Sequence, residues 1–114
     1  MEEYFIKLKD YLKMDTEIPY DEFAVYYQSY LDFLNKKYSD LNKDELIKGR
    51  FICSVLQANS HERSRRKDKY AKKYKKIAEK TQFWAGSMKF RLQKEEGMTD
   101  LEIEQANEKL HELS

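Results

Sequence analysis

The chain has 114 residues, 40% hydrophobic and 38% charged, with a mean hydropathy of −0.95; a length near the commonest domain size supports one moderate core and excludes two. Its formal charge of +1 conceals a sorted distribution: residues 1–45 carry 6 Lys/Arg against 11 Asp/Glu, residues 46–94 carry 15 against 3, and residues 95–114 carry 1 against 7. A basic middle between acidic ends argues for a polyanionic partner, or for acidic segments that shield the basic one, more than for a generic soluble surface.

Three glycines and one proline punctuate the chain, and apolar residues recur at steps of three and four rather than alternating, which predicts an all-α protein. A first helix over Glu2 to Lys13 places Tyr4, Phe5, Leu8, Tyr11 and Leu12 on one stripe and ends near Asp15-Thr16. A second begins around Pro19, with Asp21 and Glu22 at the positive end of its dipole. Its expected seam is Phe23, Tyr27, Tyr30, Leu31, Leu34 and Tyr38; Tyr26 and Phe33 lie on the opposite side, as a second face buried beneath the first or last helix or as a partner site. Asn42-Lys43-Asp44-Glu45 has the form of a capping box and sets the start of a third helix. From Leu46 to Leu56 the apolar residues cover more than one face, the pattern of a central helix.

The charged stretch from Ser60 to Lys80 has no breaker, so it either extends the third helix or forms a separate one after Asn59-Ser60. Glu95-Glu96-Gly97 reads as a helix stop, and Thr99-Asp100-Leu101-Glu102 as a second capping box before a last helix with Ile103, Ala106, Leu110 and Leu113 inward. The expected architecture is a single domain over 1–114, a compact bundle of four to five helices.

Projected at about 100° per residue, Tyr70, Tyr74, Ile77, Thr81, Trp84 and Met88 fall on one stripe, facing the core or a partner helix. Lys69, Lys72, Lys75, Lys76 and Lys80 fall on the opposite arc, with Arg65 upstream and Arg66 and Lys73 nearer the boundary. Acidic residues that would neutralise this arc are few: Glu62, Asp68 and Glu79. Phe83 and Phe90 share the cationic arc if the helix continues, where they would stack on unpaired bases; a helix break near Gly86 that turns both into the core is the expected arrangement.

Motifs for chemistry are absent. His61-Glu62-Arg63-Ser64-Arg65 opens like a zinc-protease helix but has Arg65 where the second histidine belongs. Gly49, Gly86 and Gly97 are isolated, so no phosphate loop is formed. Cys53, the one cysteine, cannot form an internal disulfide and reads as a small core residue rather than a nucleophile. The chain reads as a non-enzyme without metal or cofactor. With no apolar run near the roughly 18–20 residues of a membrane span, and Met1-Glu2-Glu3 of the wrong sign for a secretory leader, it is expected in the cytoplasm.

The first functional expectation is a nucleic-acid-binding accessory or regulatory protein, for DNA or RNA, in which Arg63, Arg65, Arg66, Lys69, Lys72, Lys73, Lys76 and Lys80 of a basic helix at 61–80 contact phosphates. A helix-turn-helix from 42–57 and 61–80 would lack the usual glycine turn. The alternative is a protein-binding inhibitor or adaptor on a nucleoprotein enzyme, in which Glu102, Glu104, Glu108 and Glu112 would occupy a basic channel. The lysine-, tyrosine- and asparagine-bearing composition resembles that of small proteins of low-GC bacteria and their phages or mobile elements, a likeness that involves no motif. A third expectation is a homodimer through the 70–88 stripe.

Overall fold

The steps of three and four resolve into five α-helices in the computed structural model, which describes residues 1–112: α1 (Glu2–Leu12), α2 (Tyr20–Lys37), α3 (Lys43–Ser64), α4 (Ala71–Lys94) and α5 (Asp100–Glu112). A 3₁₀ turn, Tyr38–Asp40, follows α2. The all-α bundle is as the periodicity requires. No helix among the described residues is long and apolar enough to cross a membrane.

α3 is the axis of the fold because its apolar residues are not confined to one side: Leu46, Phe51, Ile52, Cys53, Val55 and Leu56 are all buried. The box at its start is formed as the sequence implies, with the Glu45 N–H donating to Asn42 Oδ1 at 2.9 Å and the Asn42 N–H to Glu45 Oε1 at 3.0 Å. The helix then runs past residue 57 to Ser64. A turn at 65–70, not at Asn59-Ser60, separates it from α4. Lys67 takes a left-handed conformation there (φ 58°), and Asp68 Oδ1 accepts the Tyr70 N–H at 2.8 Å.

α4 returns antiparallel along α3. Tyr74 meets Arg63 at one end of this hairpin, and Met88 meets Gly49 at the other. A Cβ at Gly49 would lie 2.9 Å from Met1 Cε and 2.9 Å from Met88 Sδ, so any larger residue there would require these two methionine side chains to shift. Tyr74, Ile77, Thr81, Met88 and Leu92 are buried against this hairpin and its neighbours. The stripe expected to carry a homodimer is therefore already covered by the chain's own core.

α1 and α2 add an aromatic cluster to one side. The Tyr4 ring lies 6.0 Å from Tyr26, 5.3 Å from Tyr30 and 5.3 Å from Phe33, and the Tyr26 hydroxyl donates to the Tyr4 carbonyl at 2.8 Å. Tyr26 is thus buried beneath α1, with Phe33 half-buried beside it. The α2 seam is turned accordingly: Tyr26 is core, while Tyr27 and Leu31 are only half-buried. Helix α2 is gripped from two sides, and the second is the buried face that the sequence offers for Tyr26 and Phe33.

Gly97 (φ 65°) reverses the chain after α4 and lets the Met98 N–H donate to Leu92 O at 3.0 Å. Thr99 then caps α5 reciprocally, with the Glu102 N–H on Thr99 Oγ1 at 3.1 Å and the Thr99 N–H on Glu102 Oε1 at 3.0 Å. Ile103 is buried, and Ala106 and Leu110 are half-buried; Leu113 lies outside the described residues.

Candidate nucleic-acid interface

The end of α3 does not present its arginines evenly to water. Arg63, 6% exposed, points inward: Nη1 donates to the Ile18 carbonyl at 3.1 Å and to Tyr74 Oη at 3.0 Å, and Nε pairs with Glu17 at 3.1 Å. Its guanidinium lies 4.7 Å from the Phe23 ring centre and 5.5 Å from that of Tyr74. This cation joins α2, α3 and α4, with its Nη1 and Nε donors held inside the fold. Arg66 is exposed but engaged, with Nη1 on both Glu17 oxygens at 2.7 and 2.9 Å and Nη2 3.6 Å from Glu62. The expectation of one continuous ridge from 63 to 80 is corrected on both counts: Arg63 is a core cation, and the turn at 65–70 interrupts the helix.

The remaining members of the expected set are different. Arg65, Lys69, Lys72, Lys73, Lys76 and Lys80 are all exposed, as are Lys67 and Lys75. Among the described residues, none of these eight lies within ion-pair distance of a carboxylate. Lys72, Lys76 and Lys80 follow one another by four along α4, about 6 Å apart in rise, on the side away from Tyr74. Lys69 and Lys73 flank a stacked pair, Tyr20 on Tyr70 at 4.2 Å, with ammoniums 5.1 Å from the Tyr70 ring and 5.4 Å from the Tyr20 ring. Lys67 was not in the expected set because nothing in the sequence marks the left-handed turn that exposes it.

Carboxylates elsewhere are spent on other cations. Glu2 and Asp44 hold Lys48 at 2.6 and 3.1 Å, Glu104 holds Arg50 at 2.9 Å, Asp100 lies 3.6 Å from Lys89, and Glu95 holds Arg91 at 3.0 Å. Two of the four acidic residues considered for a basic channel are thus engaged internally, Glu104 with Arg50 and Glu102 in the α5 cap. The Thr99 hydrogen bonds hold the Glu102 carboxyl below its usual range.

The second half of α4 departs from expectation in a useful way. Gly86 does not break the helix, so Phe83 and Phe90 stay on the solvent side, 61% and 59% exposed. Between them Gly86 leaves open space, with nothing within 4 Å of where a Cβ would stand. Tyr38, Gln82, Phe83, Gly86, Ser87, Phe90 and Arg91 line a wide shallow groove of about 580 Å³. Arg91 forms a fixed wall, donating to the Tyr38 and Leu41 carbonyls. At the other end the Lys80 ammonium lies 6.0 Å from the Phe83 ring centre.

The other candidates for chemistry are Cys53 and His61. Cys53 is buried, its thiol 3.8 Å from Tyr30 Oη, and burial pushes it up to about 12, so it stays protonated near neutrality. His61 is exposed. Among the described residues no group of three His, Cys, Asp or Glu side chains is arranged to hold a metal ion. No protein-family model matches this chain, and comparisons with curated proteins and with solved structures returned no match.

Proposed function

We propose that the protein is a non-enzymatic accessory protein that binds nucleic acid through its phosphates, using the turn at 65–70 and the first half of α4. The observation that carries this reading is the run of unpaired cations: Arg65, Lys67, Lys69, Lys72, Lys73, Lys75, Lys76 and Lys80 face water with no carboxylate partner among the described residues. Like charges at these spacings oppose one another along a helix by a few tenths of a kcal/mol per pair, and a bound polyanion relieves that repulsion. Lysine ammoniums are flexible point charges, which suits backbone contact without strict sequence choice. A helix-turn-helix is not the means, since α3 and α4 pack side by side as a hairpin instead of crossing at about 90–120°.

The test is a fluorescence-anisotropy titration of labelled DNA or RNA at about 50 and about 200 mM salt. Affinity should fall steeply over that range, and K72E/K76E/K80E should abolish binding while circular dichroism stays unchanged. Absence of binding at the lower salt would end the proposal. Capture of a partner that survives nuclease treatment would favour the adaptor reading, in which the same cations meet an acidic protein surface.

A further inference from the structure

We infer that the preferred ligand is single-stranded nucleic acid, its unpaired bases stacking on Phe83 and Phe90 across the gap at Gly86 while its phosphates follow Lys72, Lys76 and Lys80. This inference rests on the phosphate-binding reading above and adds the class of ligand. The two rings are the largest aromatic surfaces the described residues leave in water, and the fold does not require them there: Phe83 touches only the edge of Trp84 at 5.7 Å among rings. Seven residues apart on one helix, they are separated by about 10 Å of rise, roughly three base steps at about 3.4 Å each. Gly86 lies between them, where any side chain would project into the path of a strand laid along the helix.

Charge identifies the occupant of this groove. Lys72, Lys76 and Lys80 lie on the same face of α4 as Phe83 and Phe90, and Lys94 lies beyond them. Aromatic rings in line with a cationic row form the arrangement that tracks a single strand, because every base has a face to stack and every nucleotide a phosphate. A duplex keeps its base faces covered and can use only the lysines. A second copy of this chain would set one lysine row against another, with Glu79 the one carboxylate on that stretch of α4 to offset it.

The experiment is anisotropy with a labelled oligothymidylate and with a duplex of equal length, on the wild type, F83A, F90A, F83A/F90A, F83L/F90L and K72E/K76E/K80E. The single strand should bind more tightly than the duplex, and its addition should quench Trp84 emission through the adjacent Phe83. Each Phe→Ala change should weaken single-strand binding by roughly tenfold or more while leaving duplex affinity unchanged. F83L/F90L should not restore it, since leucine keeps apolar area but has no ring. Equal affinity for both forms with no effect of the phenylalanines, or full rescue by leucine, would overturn the stacking inference and leave phosphate binding standing. Loss of concentration-dependent dimers in F83A/F90A by light scattering would overturn it in favour of a second copy. No binding of either nucleic acid would remove the underlying reading itself.

Discussion

Arg63 and the lysines from 72 to 80 belong to the same basic stretch of sequence and have opposite fates. Arg63 is enclosed by Glu17, the Ile18 carbonyl, Phe23 and Tyr74, so its charge is consumed in joining three helices. Lys72, Lys76 and Lys80 lie on the far side of α4 from that same Tyr74, with no carboxylate within ion-pair distance among the described residues. What separates them is which side of the hairpin each faces, and whether an acidic residue from a distant segment arrives there. A count of cations therefore overstates the candidate docking surface, and burial together with ion pairing separates the cations held internally from those left in water. One group should govern stability and the other binding.

The largest disturbance would ionise the core packed between α2 and the hairpin. Burial raises the Tyr30 hydroxyl well above its ordinary range and raises Tyr26 and Cys53 with it. Their folded-state proton affinity exceeds that of the unfolded chain, so the stability they contribute is complete at neutral pH and is lost as pH rises, from about 9 for Cys53 and from about 10 for the tyrosines. Near-ultraviolet circular dichroism and tyrosinate absorbance should change together in one cooperative alkaline transition. Early, non-cooperative titration of every tyrosine would break the account of the core.

Arg63→Ala is next in size. It would leave Glu17, the Ile18 carbonyl and the Tyr74 hydroxyl without their common donor, a loss of about 3 kcal/mol readable in urea unfolding. Arg63→Lys should recover only part of it, because an ammonium cannot reproduce the planar fork. Asn42→Ala removes the α3 cap and should cost about 1 kcal/mol in the same assay. Smallest of all, K72Q/K76Q/K80Q should shift stability by less than about 0.5 kcal/mol. A large destabilisation from the lysine changes would show that they are structural after all and collapse the distinction.

Much of the fold was legible in advance because its signals are local. Helical spacing, the boxes at Asn42 and Thr99 and the stop at Gly97 each depend on residues within one or two turns. The parts that escaped depend on distant contacts. Glu17 reaching Arg63 and Arg66 is a pairing across more than forty residues that no spacing announces. The turn at 65–70 rests on Lys67 in a conformation lysine rarely adopts. Gly86 has the look of a breaker, but a lone glycine inside a well-packed helix costs only about 1 kcal/mol, which the buried Met88 and Leu92 beyond it offset. That same tolerance keeps Phe83 and Phe90 in water. The proposed binding surface therefore extends further along α4 than the charge pattern alone suggests.

The most direct test of the central claim is the salt dependence of nucleic-acid affinity in two variants compared with the wild type. If the lysine row is the free surface, K72Q/K76Q/K80Q should flatten the slope of log affinity against log salt by about 2 for a single strand, roughly 0.7 per lost phosphate contact. Arg66→Gln, whose charge is already held by Glu17, should leave the slope within error of wild type. An unchanged slope in the lysine variant, or an equal loss in the arginine variant, would contradict the account.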